Sequence, residues 1–289
     1  MFATVAAFAA SATLAALTPQ QKASLLVVSG LPAPAGVGGV IVHPWDRAAP
    51  RPPGALVFVD QEGGATRAFP ELPPAAPASS YTSAAAAFAA GLATGRALRS
   101  AHVDVDFAPV LDAPDGPLGS RLFRRQSYGV AFARGLRAGG TAACVKHFPG
   151  LGSTRISTDE RPHVDGVVRA AEVAGFGAAV HAGVPCVMVG HAFYRRFGPF
   201  RASLEPKAYA LLRSLGFRGV AITDSLSLVR KAPVERWAPQ AARAGADLLL
   251  FTDSGHARRA VRALLPLARS GELDEHVARV LAFRAALRR

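Results

Sequence analysis

The feature that most constrains this chain is an alternation that begins about twenty residues in and runs almost to its end. Short runs rich in Val, Ile, Leu and Phe finish in polar residues, and each is followed by an Ala/Leu/Arg stretch with helical spacing. That is the βα pattern of a parallel sheet. The strands it predicts lie at 37–43, 55–61, 103–112, 142–148, 185–191, 219–224 and 246–252. The intervening helices are predicted at 83–99, 131–138, 167–182, 205–215, 235–244 and 256–270, with Gly and Pro at the junctions. Seven strands are visible, and an eighth would have to be irregular. Because the strands are continuously apolar, both sheet faces must be covered, by barrel closure or by helices on either side. The 289 residues, half hydrophobic and 18% charged, suit one extensive core, and the length favours a (β/α)8 TIM-type barrel.

The polar residues ending those runs carry the functional argument. Asp60, Asp112, Lys146 with His147, His191, Asp224 and Asp253 all fall at or near predicted C-terminal strand ends. In a (β/α)8 barrel these ends converge on one mouth, where active sites are built.

The rest of the chain excludes several function classes. The formal charge of +13 comes from Arg spread along the sequence, not from a basic block interleaved with aromatics, so nucleic-acid binding is not expected. Attraction to an anionic polymer such as cell-wall material is one reading of the charge, and Arg-rich composition without a partner is the other. Cys144 and Cys186 each sit inside an apolar strand-like run, which predicts two small core residues with neither a disulfide framework nor a thiolate metal site. No His and carboxylate group has ligand-like spacing, so no metal is expected.

Residues 1–17 form an apolar N-terminal segment, and 18–289 are expected to be a single barrel domain. The segment reads as an export signal lacking its basic n-region, or as a first helix, with Thr18 as cap and Pro19 in the first position of the next helix. These two readings stay open, leaning towards an exported or cell-envelope location over a cytoplasmic one. Beyond that segment Gly, Pro, Arg or Asp punctuates every hydrophobic run, so no transmembrane segment is expected.

Five segments occur in order: Asp60-Gln61-Glu62-Gly63-Gly64, Val105-Asp106-Phe107-Ala108-Pro109-Val110-Leu111-Asp112, Lys146-His147-Phe148-Pro149-Gly150, Ala202-Ser203-Leu204, and Leu215 to Asp224 ending in Ile222-Thr223-Asp224. From about Leu17 onward the chain resembles glycoside hydrolase family 3, most closely its single-domain β-N-acetylhexosaminidase branch. The resemblance implies a (β/α)8 barrel and retaining hydrolysis of a terminal β-linked sugar through a covalent glycosyl-enzyme, with no cofactor. Asp224 matches the family nucleophile, and a carboxylate suits that role because it can attack the anomeric carbon and later leave. Taken alone, Asp224 reads equally as a helix N-cap.

By the same resemblance Lys146 and His147 donate hydrogen bonds to sugar hydroxyls, Asp60 accepts them from distal hydroxyls, and Arg121 contacts substrate. Each has a plainer alternative: a snorkelling Lys beside a core His, a carboxylate anchoring the Gly63-Gly64 turn, a surface Arg. His191 falls where the family also has a His, as a site-lining group or as a core His with both nitrogens paired.

The departures from the family pattern concentrate on one loop. The branch carries an Asp-x-His pair after Lys-His-Phe-Pro-Gly, its His being the general acid/base, whereas Ser157 and Asp159 occupy those places here. Asp159 is the first candidate by register, with Glu160 and His163 as alternatives. The family's His after Phe-Pro-Gly is Leu151, and its Arg eight positions after Asp60 is Ala68, with Arg67 one place early. The sequence therefore leaves three classes of function: an exo-acting β-N-acetylhexosaminidase on cell-wall or chitin-derived fragments, or a relative with β-glucosidase-like specificity; a sugar-binding barrel without catalysis; and a phosphate-handling barrel. The last is weakest, because the chain lacks a Walker loop.

Overall fold

A computed structural model of the chain describes residues 14–228 and 233–287. Most of the apolar N-terminal segment, residues 1–13, lies outside them. The chain enters through a helix, Pro19–Leu25, that starts as the sequence predicts: Thr18 Oγ1 accepts from the Gln21 N–H while the Gln21 side chain accepts from the Thr18 N–H, with Pro19 in the first turn.

Eight parallel strands follow one another around the barrel: β1 (Val27–Ser29), β2 (Gly39–Val42), β3 (Leu56–Val59), then, after the two-stranded β4 (Gln61–Gly63) and β5 (Thr66–Arg67), β6 (Val105–Asp106), β7 (Ala142–Phe148), β8 (Cys186–Val189), β9 (Val220–Thr223) and β10 (Leu249–Phe251). Pairing runs β10-β1-β2-β3-β6-β7-β8-β9, and a parallel Ile222–Leu248 bridge closes the circle. The predicted (β/α)8 architecture is therefore the fold.

The eighth strand is β1. It has only three residues and follows the first helix almost directly, so periodicity could not separate the two. The predicted strand at 103–112 shrinks to β6, because Pro109 has no N–H for the ladder; pairing resumes only as a Val110–Lys146 bridge. A final helix, Asp274–Leu287, was not foreseen.

The helices pack on the outside of the strands. The closest pair is Ala84–Ser100, capped by Ser83, against Gln126–Ala138, where a Cβ at Gly91 or Gly95 would stand 2.2 or 2.3 Å from the carbonyl oxygens of Phe132 and Leu136. Only glycine lets these backbones approach so closely.

One expectation is corrected. Cys144 and Cys186 are buried in the core, but they form a disulfide. They face each other in register on β7 and β8 with Cα atoms 4.3 Å apart, a proximity created by strand pairing across 42 residues of sequence.

Candidate active site

The mouth of the barrel is assembled from strand ends. After β3 the chain passes Asp60 into the β4–β5 hairpin, whose turn uses Gly63 (φ 107°) and Gly64 (φ 59°), conformations costly for any other residue. Buried Gln61 holds the hairpin down: its amide nitrogen donates to the carbonyls of Phe69, Leu72 and Pro73, and its amide oxygen accepts from the Phe69 N–H. Residues two apart on an extended segment share a face, so Asp60 and Glu62 both turn inward.

Lys146, near the end of β7, meets them both. Its Nζ lies 2.5 Å from Asp60 Oδ1 and 2.6 Å from Glu62 Oε1. Glu62 also takes a bidentate pair from Arg121, at 2.7 and 2.8 Å, and Arg121 Nη1 stands 3.6 Å from Asp159 Oδ2. Burial alone would raise the Glu62 carboxyl, but Lys146 and Arg121 outweigh it and hold it down at about 2. Burial works against the Lys146 and Arg121 cations as well, yet the surrounding carboxylates push both pKa values up. The result is a linked array of charge pairs that can present donors and acceptors in fixed positions.

His147 is fixed by Asp112, which sits 2.8 Å from its Nδ1 and accepts from the backbone N–H groups of His147 and Leu151. Burial lowers the ring's pKa, but Asp112 and Asp224 raise it above its ordinary value. Asp224 follows β9. It is 8% exposed, and its carboxylate accepts one hydrogen bond, from the Ser225 N–H to Oδ1 at 2.7 Å. Burial would raise this carboxyl, but His191, His147, the Ser225 N–H and Lys146 together hold it below the usual carboxylate range. The His191 contribution needs a protonated ring, and burial depresses the His191 pKa.

Asp224, Asp60, Lys146, His147, Arg121 and Asp159 line one cavity of about 230 Å³, together with His43, Thr66, Ser225, Thr252 and apolar side chains including Phe107 and Met188. Three expected residues stand elsewhere. His191 lies behind the wall, its Nδ1 2.8 Å from Ser203 Oγ and its Nε2 2.9 Å from the Ser225 carbonyl, so it braces the turn after Asp224; this also explains Ser203 of the fourth motif. Arg67 donates to the carbonyls of Gly64 in its own hairpin and of Pro70 just beyond it, leaving Thr66 on the cavity. His163 stacks on Phe193, 3.3 Å from Asp165, with its side chain 63% exposed.

Asp159 reaches the cavity because Ser157 is buried and its Oγ accepts the Asp159 N–H, while the Asp159 side chain remains 51% exposed. Glu160 faces solvent. Leu151 is buried and donates its N–H to Asp112. Asp253 caps the helix Ser254–Ser270, accepting from the His256 N–H.

Sequence reasoning passed over Glu62, the carboxylate joining Lys146 to Arg121, although its position two residues after Asp60 was a usable signal. It also passed over His43 on the cavity wall, which no motif marks. Among the described residues no group of three or more His, Cys, Asp or Glu side chains could hold a metal ion.

These features define a closed parallel (β/α)8 barrel with a carboxylate-bearing pocket at its C-terminal mouth. Residues 47–283 match the model of the glycosyl hydrolase family 3 N-terminal domain, and the chain belongs to that family. It is similar to a β-hexosaminidase of Stenotrophomonas maltophilia strain R551-3, with 34% identity over 204 residues, covering 63% of this chain and 60% of the relative. The chain thus spans about 60% of the length of that curated relative. Among solved structures it resembles a family 3 β-N-acetylglucosaminidase from Paenibacillus sp. FPU-7 (TM-score 0.82, 28% identity, 95% of this chain and 64% of that one). A family 3 glycosyl hydrolase from Mycobacterium smegmatis MC2 155 is similar too (TM-score 0.80, 28% identity, 95% and 98%).

Proposed function

We propose that the chain is a retaining glycosidase that removes terminal β-linked N-acetylhexosamine, with Asp224 as nucleophile. The observation carrying this reading is the Asp224 carboxylate: buried, ionised, held by a single hydrogen bond, and facing a cavity opposite an ordered donor and acceptor array.

In the reaction Asp224 attacks the anomeric carbon and the bond to the leaving oxygen breaks as that oxygen takes a proton from Asp159. Water then attacks the glycosyl-enzyme, giving its proton to Asp159 and releasing Asp224. The Lys146–Asp60 pair supplies one donor group and one acceptor group for ring hydroxyls, and Arg121 and His147 add donors. Sugar identity rests on the names of the similar proteins, and fragments of an anionic wall polymer as substrate rest on the +13 charge. The withdrawal of Arg67 from the cavity leaves room for β-glucosidase-like specificity as a variant of this reading.

A sugar-binding barrel without turnover is the second reading. It is favoured by the loss of the Asp-x-His pair and by the solvent exposure of Asp159.

An aryl β-N-acetylglucosaminide with a good leaving group separates the two. It departs without protonation, so wild type should hydrolyse it and Asp224→Ala should not. Asp159→Asn should keep the initial burst of aryl release but turn over slowly afterwards, because the same group activates water in the second step, and it should lose about 10²–10⁴-fold on an alkyl glycoside that needs acid assistance. Wild type that binds the sugar but is as inert as Asp224→Ala would overturn the hydrolase reading.

A further inference from the structure

We infer that Trp45, stacked on His43 at the rim of the pocket, is the platform for the leaving-group sugar of a β-linked oligosaccharide. This rests on the proposed glycosidase reading and adds a second binding position to it. The cavity of about 230 Å³ falls below the roughly 300–1,000 Å³ typical of pockets for drug-sized ligands, so it accommodates one sugar ring and leaves a second ring outside. What that second ring meets is decided by the residues after β2.

His43 belongs to the cavity wall, and Trp45 lies against it with ring centroids 4.7 Å apart and planes 5° from parallel. The pair is prepared in advance. Asp46 Oδ1 accepts from the His43 N–H at 2.6 Å, and Asp46 Oδ2 stands 3.2 Å from His43 Nδ1, fixing the imidazole. Arg47 donates to the Pro44 carbonyl and forms a bidentate pair with Glu71, bracing the same turn from outside.

On this rigid support Trp45 is 79% exposed, the most exposed of the large hydrophobic side chains among the described residues. A lone surface aromatic needs no explanation. One stacked on a cavity-wall residue, in a turn held by two carboxylates, presents a fixed indole face beside the cavity. The axial C–H groups of a β-linked pyranose pack on such a face, with polar groups free at the ring edge.

The chain has two tryptophans, and Trp237 is buried beneath the Arg201 guanidinium, so emission at long wavelength reports Trp45. The test uses Asp224→Ala, to prevent cleavage, titrated with N-acetylglucosamine and with its β-1,4-linked disaccharide. The disaccharide should shift the exposed emission to the blue and shield it from acrylamide, while the monosaccharide leaves it unchanged. Adding Trp45→Ala should weaken disaccharide binding at least about tenfold, leave monosaccharide binding unaltered, and be largely rescued by Trp45→Phe; RT ln 10 sets the scale of such a change. Thermal melting verifies that these variants are folded.

Equal disaccharide affinity with and without the indole, or unchanged emission at saturation, overturns the platform and points to another occupant such as a protein. If both sugars bind as described but wild type never hydrolyses, the platform stands and the hydrolase reading fails. Failure of the disaccharide alone to bind at millimolar concentration overturns the platform, and failure of both sugars overturns both readings.

Discussion

Asp224 and Asp247 are both buried carboxylates associated with the last two strands of the barrel, but they sit at opposite ends of it and are treated oppositely. Asp247 lies just before β10 at the N-terminal face. Its Oδ2 accepts from Arg213 at 2.6 Å and from the Ala221 N–H at 2.9 Å; its Oδ1 accepts from Arg279 at 2.7 Å and meets His276 at 3.0 Å. Those partners tie two helices and β9 together through one side chain. Asp224, just past β9 at the other end, has one backbone donor and a cavity. Both carboxyls are held below their usual pKa despite burial, so an ionised buried Asp is not by itself a functional signal. What separates them is saturation: a carboxylate whose lone pairs are filled holds the fold, and one left with an unfilled oxygen over a cavity can react.

Substitution should expose the division. Asp224→Ala is expected to reduce turnover of an aryl β-N-acetylglucosaminide by about 10³-fold or more while leaving the urea midpoint nearly unchanged, because it removes the attacking atom and few native contacts. Asp247→Ala should do the reverse, costing about 3 kcal/mol in chemical denaturation, since it strands Arg213, Arg279 and a buried N–H, with kcat on the same substrate preserved. Because the folded Asp247 pKa is depressed, its stabilisation is present above the unfolded value near 3.8 and is lost as pH falls through the folded one. The gap between wild type and Asp247→Ala should therefore close in acid; a gap independent of pH would show that the ion pairs are not its source.

Glu172 is an intermediate case that sharpens the comparison. Its Oε1 accepts from the N–H groups of Ala113 and Gly152, pinning two loops of the mouth, while Oε2 is buried without a partner, and burial pushes the carboxyl up to about 7. A raised folded pKa gives stability that is full below the unfolded value near 4.5 and declines as pH climbs to about 7. Glu172→Gln keeps the Oε1 acceptor and removes the titration. Its stability relative to wild type should rise across that window, by on the order of 2 kcal/mol, and level off above it. A flat difference would mean that Glu172 is already ionised at pH 5.

The smallest expected effect is at Glu62. Glu62→Gln weakens the bridge between Lys146 and Arg121 without removing a group that lines the cavity, so it should raise KM about tenfold, roughly 1.4 kcal/mol, with kcat less affected. A change confined to kcat would move Glu62 from positioning into the chemistry.

Much of this arrangement was legible from residues alone. Alternating apolar runs located seven barrel strands because burial on both faces leaves a continuous hydrophobic signature. The eighth was hidden because three residues are too few to show a period. Asp60, Lys146, His147 and Asp224 were marked by their place at strand ends, and the barrel brings all four to one cavity. The loop from 153 to 164 was read only in part. Counting singled out Asp159, but a loop has no period from which inward and outward residues can be told, and there the structure separates Asp159 at the cavity from His163 stacked outside on Phe193. Arg67 was lost the same way, since its carbonyl partners in and just beyond the hairpin exist only once the Gly63-Gly64 turn forms.

The sequence by itself determined the barrel, the order of its strands' polar ends and the family to which those ends conform, because each depends on local pattern and spacing. Only the tertiary structure decided which partners those ends acquire: the Cys144–Cys186 link, the Glu62 bridge, the retreat of His191 behind Ser225, and the contrast between Asp247 and Asp224. Partner choice follows from distances across strands and loops far apart in sequence, and it is the number of partners gained that turns one buried carboxylate into a brace and leaves another open to a ligand.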